Sequence, residues 1–210
     1  EIALALREQP VGHVQPRPPQ IRVVARPPAE LDSAGGTAVL EALRLAESLG
    51  EHWTAHPPSQ LRSGGVGVRD LRRTARELGV DEPVVAVIAE TAAAAGLFNA
   101  THELESAYLP TAEFDTWLEQ PPARRWTQLA TAWLAMSRHP GLVNQRGDRD
   151  RVISLLGPDV ERGTIAAARR QVLDALATLS PGSAPRERGD VLAYLAWQAP
   201  RRANGQGPLA

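Results

Sequence analysis

Residues 68–95 read VRDLRRTARELGVDEPVVAVIAETAAAA, and their pattern sets the reading of the whole chain. Val68, Leu71, Ala75 and Leu78 recur at helical spacing and give a first helix one apolar stripe. Leu78-Gly79-Val80 then breaks it. Asp81 stands where an N-cap is wanted, followed by Glu82 and Pro83 in a first turn that favours both residue types. Val84, Val85, Val87, Ile88 and a run of alanines make the second helix apolar over most of its circumference. Two helices about a tight glycine break form the scaffold of a helix-turn-helix.

The charges on that scaffold are unusual for a base reader. Arg69, Arg72, Arg73 and Arg76 are spaced i, i+3, i+4 and i+7 on the first helix, so they share one face. Such a face can follow a phosphate backbone, each contact adding salt dependence. With Asp70 and Glu77 beside it, the same stripe is also an ordinary solvated surface. The second helix, the one that enters the groove in this motif, offers only Asp81, Glu82, Glu90 and Thr91, whereas base readout relies on Arg, Lys, Asn or Gln. The sequence therefore predicts backbone contacts through the first helix, or a protein contact through Val84, Val85, Val87 and Ile88 on the second.

Upstream, Val39, Leu40, Leu43, Ala46, Leu49 and Trp53 recur at three- and four-residue spacing with Glu41, Arg44, Glu47 and Glu51 between them. This predicts an amphipathic helix over 36–53. The glycine-rich LRSGGVGV reads as a flexible lead-in to the helix pair. Downstream, GLFNATHELESAYLP predicts two short extended runs, 97–100 and 107–110, about a polar turn. A helix, a helix-turn-helix and a hairpin follow in the order of a winged helix, which sets a winged-helix-like domain at 34–110. The turn NATHELE, residues 99–105, carries two glutamates and no arginine, so it reads as a solvated turn rather than a phosphate-gripping wing.

The flanks complete a mainly α fold: a winged helix-turn-helix unit with a small β-hairpin plus additional C-terminal helices. Residues 1–33 read as the end of a preceding element and a proline-rich connector. EIALALRE opens without an initiator Met, six of the 18 prolines fall in 10–33, and 21–24 reads as a short strand. The chain is thus expected to be a piece of a longer protein. Residues 111–210 are expected to be helical and to resemble the start of a second winged-helix-like unit. A helix starts at Thr111 or Thr116. Another starts at Pro121-Pro122, with Trp126, Leu129, Ala130, Trp133 and Leu134 on one face. After a polar loop at 141–150 come a short helix near 152–156, a strong one over 164–179 and a last one over 190–198. The 164–179 helix is expected to bury Ile165, Ala168, Val172, Leu176 and Leu179. The five tryptophans, at 53, 117, 126, 133 and 197, read mostly as core.

Composition removes whole classes of chemistry. All 23 basic residues are arginine, so neither a Schiff-base lysine nor a phosphate-loop lysine exists. Cysteine is absent, which excludes disulfides, thiolate nucleophiles and thiolate-ligated metals. The net charge of -1 means that any nucleic-acid contact must come from a local patch. No apolar stretch has the length of a signal core or membrane span, and the default location is cytoplasmic. His52 and His56, in HWTAH, lie four apart, but Trp53 occupies the position where a metalloprotease helix needs glutamate, and Pro57-Pro58 ends the helix there. The pair reads as structural, and His13, His102 and His139 have no ligand-like spacing. No strained G-x-S-x-G elbow is present. Neither catalytic residues, nor a metal site, nor a cofactor is expected.

The stretch LRSGGVGVRDLRRTARELGVDEPVVAVIAETAAAAGLF, followed by LPTAEFDTWLEQPPARRWTQLATAWLAM, resembles the N-terminal, winged-helix-containing region of bacterial helicase-associated (XPB-like) proteins of high-GC bacteria. The likeness is best over 61–141. It implies a long protein of stacked winged-helix-like domains with a helicase-associated region toward its C-terminus. This chain has no GxxxxGK[ST] loop and no acidic magnesium-binding strand motif, so no motor is present. The expected function is a non-catalytic docking module of a larger DNA-transaction protein. It would bind nucleic-acid backbone weakly, without sequence readout, and would contact neighbouring domains of the same chain. The alternative is a protein-interaction or structural winged-helix module that binds no nucleic acid.

Overall fold

The computed structural model describes residues 17–101, 106–147 and 150–198. Among them the chain is mainly helical, with two small two-stranded antiparallel sheets. No described helix is long and apolar enough to cross a membrane. The described residues divide into two compact units, one within 29–170 and one combining 17–28 with 171–198.

In the larger unit, α1 (Pro28–Ala55) begins earlier than its apolar periodicity. Residues 29–38 are exposed and carry no stripe, which is why the spacing reveals the helix only from Val39 onward. Leu40 is 60% exposed, while Leu43, Leu45, Ala46, Leu49 and Trp53 are buried. The helix pair follows as α2 (Val68–Leu78) and α3 (Glu82–Ala94). Gly79 ends α2 in the left-handed conformation at φ 66°, which a residue without a Cβ adopts freely. Asp81 is the N-cap of α3, but its side chain makes no capping hydrogen bond.

Two strands come next, β2 (Phe98–Ala100) and β3 (Tyr108–Pro110), paired antiparallel with Asn99 opposite Leu109. A third segment lies beside β3. The Tyr108 amide donates to the Pro58 carbonyl at 3.0 Å, and the Gln60 amide to the Ser106 carbonyl at 2.8 Å. Residues 102–105 of the NATHELE turn lie outside the described residues. The core gathers where these elements meet. Trp53 meets Phe98 edge-on at 5.2 Å between centroids, Phe98 lies 5.4 Å from Phe114, and Phe114 stacks on Trp117 at 5.8 Å.

Thr111, not Thr116, is the N-cap of α4 (Ala112–Leu118). Phe114 of α4 sits so close to α1 that a Cβ built on Gly50 would overlap its ring. Next is α5 (Pro122–Ala135), which buries only Leu129 of its expected face; Trp126 is 38% exposed. The tryptophan expectation needs the same correction, because Trp53 and Trp117 are fully buried whereas Trp126 and Trp197 are each 38% exposed.

Residues 152–155 are extended rather than helical, and Leu156 turns the chain at φ 57°. The Ile153 amide donates to Gln145, the Asn144 amide to Ile153 and the Val66 amide to the Leu155 carbonyl. Ile153 and Leu155 are buried while Val152 is 45% exposed, a period-two pattern. A short apolar run fits helix and strand templates alike, and here the pairing with Val66 and Gln145 decides. The same pairing corrects the reading of the glycine run. Gly65, at φ 82°, forms a tight turn whose Cβ would lie 2.5 Å from the Leu155 carbonyl oxygen, so SGGVG is packed rather than a flexible lead-in.

The last long helix of this unit, α6 (Ile165–Ala177), crosses the division between the units after Arg170. Its expected stripe is not inside: Val172 and Leu176 are each 37% exposed, and Arg169 and Ala175 are buried instead. Arg169 is buried because its guanidinium donates to the carbonyls of Trp133, Met136 and Arg138 at 2.8, 2.6 and 2.5 Å. In the smaller unit β1 (Val23–Ala25) pairs antiparallel with β4 (Ser183–Pro185), and α7 (Arg188–Gln198) follows. Arg22 holds this unit together by bonding Asp190 at 3.1 Å and Glu187 at 3.2 Å.

Candidate nucleic-acid interface

The four arginines project from the side of α2 opposite its buried residues Leu71, Thr74 and Ala75. Arg69, Arg72 and Arg76 are exposed and Arg73 is half-buried. Their charges are not equally available. Arg72 pairs with Glu82 at 3.2 Å, and Arg73 with Asp70 at 2.8 Å. Arg69 and Arg76 have no carboxylate partner among the described residues; Arg76 Nε only donates to the Arg72 carbonyl at 3.4 Å. These two stand about 10 Å apart along the helix axis, from the rise of 1.5 Å per residue. Asp70, Glu77, Asp81 and Glu82 share the same stretch, so the surface is only locally positive. It can engage a phosphate or two; it is not a basic groove.

On α3 the structure divides the four candidate contact residues. Val85 is fully buried and Ile88 partly buried, both packed in or against the core. Val84, 39% exposed, and Val87, 43% exposed, remain open to solvent. A partner can therefore meet Val84 and Val87, while Val85 serves the fold.

The carboxylates of α3 are engaged internally. Glu90 is fully buried. It pairs with Arg138 and also accepts the Leu156 amide at 2.7 Å. Arg138 in turn donates to Glu161 at 2.9 Å and to the Gly157 carbonyl at 2.8 Å. Burial lowers the pKa of this guanidinium, but bonds and charges from Glu90 and Glu161 outweigh that and raise it above the ordinary arginine value. At the other end of α3, Glu82 accepts from the Asn144 side-chain amide as well as from Arg72. Residues 138, 144, 156 and 157 are thereby fastened to or beside α3, which also packs on α5 and on the 3-10 turn Pro140–Leu142. The helix that enters the groove in a helix-turn-helix is in this chain covered on one side by later parts of the same unit, while Pro83, Val84 and Val87 stay exposed.

Sequence reasoning counted Glu90 only among the few polar residues the second helix could offer a groove, and did not single out Arg138. The signal was a lone carboxylate within an alanine-rich apolar helix, which when buried requires a cation and hydrogen-bond donors. Its partner lies 48 positions away, beyond the reach of local pattern.

The histidine pair lies at the end of α1. His52 and His56 stack with centroids 5.4 Å apart and planes at 30°. His52 Nε2 is buried without a hydrogen-bond partner. Among the described residues, no three His, Cys, Asp or Glu side chains come together as a metal would need. His13 and His102 lie outside the described residues. No family model matches the chain, and neither a curated protein nor a solved structure matches it.

Proposed function

We propose that the chain is a non-catalytic docking module of a larger, helicase-associated DNA-transaction protein, built on a winged helix and gripping nucleic-acid backbone weakly without reading sequence. The winged-helix reading is supported by the order α1, α2, α3, β2, β3 and by the pairing of residues 58–60 with β3. The observation that carries the function is the open face of α2, where Arg69 and Arg76 have no carboxylate partner among the described residues. Binding without base readout is supported by the composition of α3, which carries no Arg, Lys, Asn or Gln to read base edges. The same reading places the module in the cytoplasm, together with its polyanion.

Fluorescence anisotropy with short single- and double-stranded DNA at low and physiological salt tests it. Changing Arg69 and Arg76 together to Ala should weaken binding alike for unrelated sequences and flatten the salt slope by about one to two. The Arg72/Arg73 double change should flatten it less, because both guanidiniums already hold carboxylates. No binding at low salt would reject the proposal. The exposure of Val84 and Val87 favours a second reading, a protein-docking module that binds no nucleic acid.

A further inference from the structure

Arg72 lies between Arg69 and Arg76 on the arginine face, and the fold holds it elsewhere. Its Nε donates to Glu82 Oε1 at 3.2 Å. The other oxygen of that carboxylate, Oε2, accepts from the Asn144 side-chain amide. A carboxylate only accepts, so the nitrogen of the Asn144 amide, not its oxygen, faces Glu82. Asn144 is itself fixed. It stands in the left-handed region at φ 65°, which asparagine tolerates better than most residues, and its backbone amide donates to the Ile153 carbonyl at 3.0 Å. Glu82 is thus clamped at both oxygens, by α2 on one side and on the other by the chain that follows the turn Pro140–Leu142.

That clamp strengthens what is otherwise a weak interaction. An ordinary surface ion pair contributes little, because two long side chains must be immobilised to form it. Here Asn144 already fixes Glu82, whose side chain is 32% exposed, so only Arg72 is left to order. The Arg72 side chain is 65% exposed and within reach of a polyanion, yet its charge is answered by Glu82. Arg72, Arg76, Gly79, Val80, Asp81 and Glu82 line an open notch between the end of α2 and the start of α3. Asp81 shares the notch but holds no arginine among the described residues, and its side chain makes no capping hydrogen bond. Two neighbouring carboxylates of equal charge therefore differ in one respect: Glu82 holds a guanidinium of the face and Asp81 does not.

Resting on the backbone-binding reading above, we propose that Glu82, braced by Asn144, is an autoinhibitory contact that keeps Arg72 off the phosphate backbone and limits the face to Arg69 and Arg76. Weak binding is then built into the fold rather than set by a shortage of arginines. Arg69, Arg72 and Arg76 are spaced i, i+3 and i+7, so a released Arg72 fills the gap between two contacts already present. Each added phosphate contact steepens the salt slope by about 0.7 on a single strand and about 0.9 on a duplex. The residue that braces Glu82 thereby sets how many phosphates α2 engages.

The experiment is fluorescence anisotropy of the full chain with an oligothymidylate, between about 50 and 200 mM salt, where such contacts are lost. Glu82→Gln keeps the shape of the side chain and an oxygen for Asn144 to donate to, and removes the charge that holds Arg72. It should bind roughly 3- to 10-fold tighter at the low-salt end and steepen the slope by about 0.7, one contact on a single strand. Asp81→Asn removes the same charge one residue away and should gain about twofold or less, with the wild-type slope. Asn144→Gly keeps the left-handed backbone and removes the brace, so its affinity should fall between wild type and Glu82→Gln. In an Arg72→Ala background, Glu82→Gln should leave the slope unchanged. The Arg72 Nε–H signal in NMR reads the contact directly. Oligothymidylate should leave it in place in wild type and shift it in Glu82→Gln, while the Arg76 signal shifts in both. A wild-type slope in Glu82→Gln would overturn the proposal, as would an equal effect of Asp81→Asn or an Arg72 signal that shifts in wild type. Wild-type affinity in Asn144→Gly would overturn the bracing role. Failure of every protein to bind at low salt would overturn the backbone-binding reading itself, an outcome distinct from binding with equal slopes.

Discussion

The fully buried carboxylate of Glu90, on α3, forms an ion pair with Arg138, a residue 48 positions later in the chain. The pair joins a helix to an irregular segment that has little regular secondary structure of its own. It is completed by the Leu156 amide, the Gly157 carbonyl and Glu161, so the buried Glu90 carboxylate and the guanidinium beside it both have partners. Removing one partner alone strands the other. Arg138→Met should cost about 3–5 kcal/mol of stability. Adding Glu90→Leu to it should recover much of that loss, because an apolar pair leaves no stranded charge. Urea unfolding of the two single variants and the double variant measures this. Equal losses in single and double variants would show that the charge pairing is not what makes the site costly to disturb.

Gly50 and Phe114 make a second test of packing. The ring of Phe114 occupies the space where a Cβ on residue 50 would stand, so Gly50→Ala forces α4 away from α1. Helix propensity alone would favour alanine by about 1 kcal/mol. Overpacking should win, with a net loss of about 1–3 kcal/mol. Trimming the ring with Phe114→Leu in the Gly50→Ala background should then cost less than the sum of the single changes. Thermal or urea midpoints of the four proteins decide it; a stabilised Gly50→Ala would show that α4 is free to shift.

The valines of α3 separate surface from core on one helix. Val84 and Val87 are 39% and 43% exposed, whereas Val85 is fully buried. Val84→Glu and Val87→Glu should leave the chain folded. Val85→Glu buries an unpaired carboxylate and should cost about 3 kcal/mol or more. Circular dichroism and unfolding curves of the three variants check this. A folded Val84→Glu or Val87→Glu protein that loses association with a partner would favour the protein-docking reading.

His52 also sets a pH dependence of stability. Its folded pKa lies below the unfolded value, first because of burial and then because of His56, so the fold favours the neutral ring. The stabilisation is present above the unfolded imidazole value of about 6.5 and is lost as pH falls below it. The unfolding midpoint should therefore drop between about pH 7.5 and 5.5 by more in wild type than in His52→Gln. Equal drops would remove His52 as the cause.

The sequence by itself carried the local features. Leu71, Ala75 and Gly79 announce α2 and its stop, Pro83 marks the first turn of α3, and the runs around Phe98 and Tyr108 announce the hairpin. Each depends on neighbours a few residues away, through helical spacing, a left-handed glycine or strand alternation. The shared face of the four arginines was legible for the same reason. Tertiary structure decided which of those faces is open. It seats residues 152–155 as an extended segment beside Val66, buries Arg169 on the carbonyls of residues 133, 136 and 138, and buries Glu90 against Arg138. It also ties the end of α1 to the buried side of α2 through Trp53 and Thr74. None of these outcomes follows from spacing, because a buried charge or a short apolar run takes its conformation from distant partners that only the folded chain supplies.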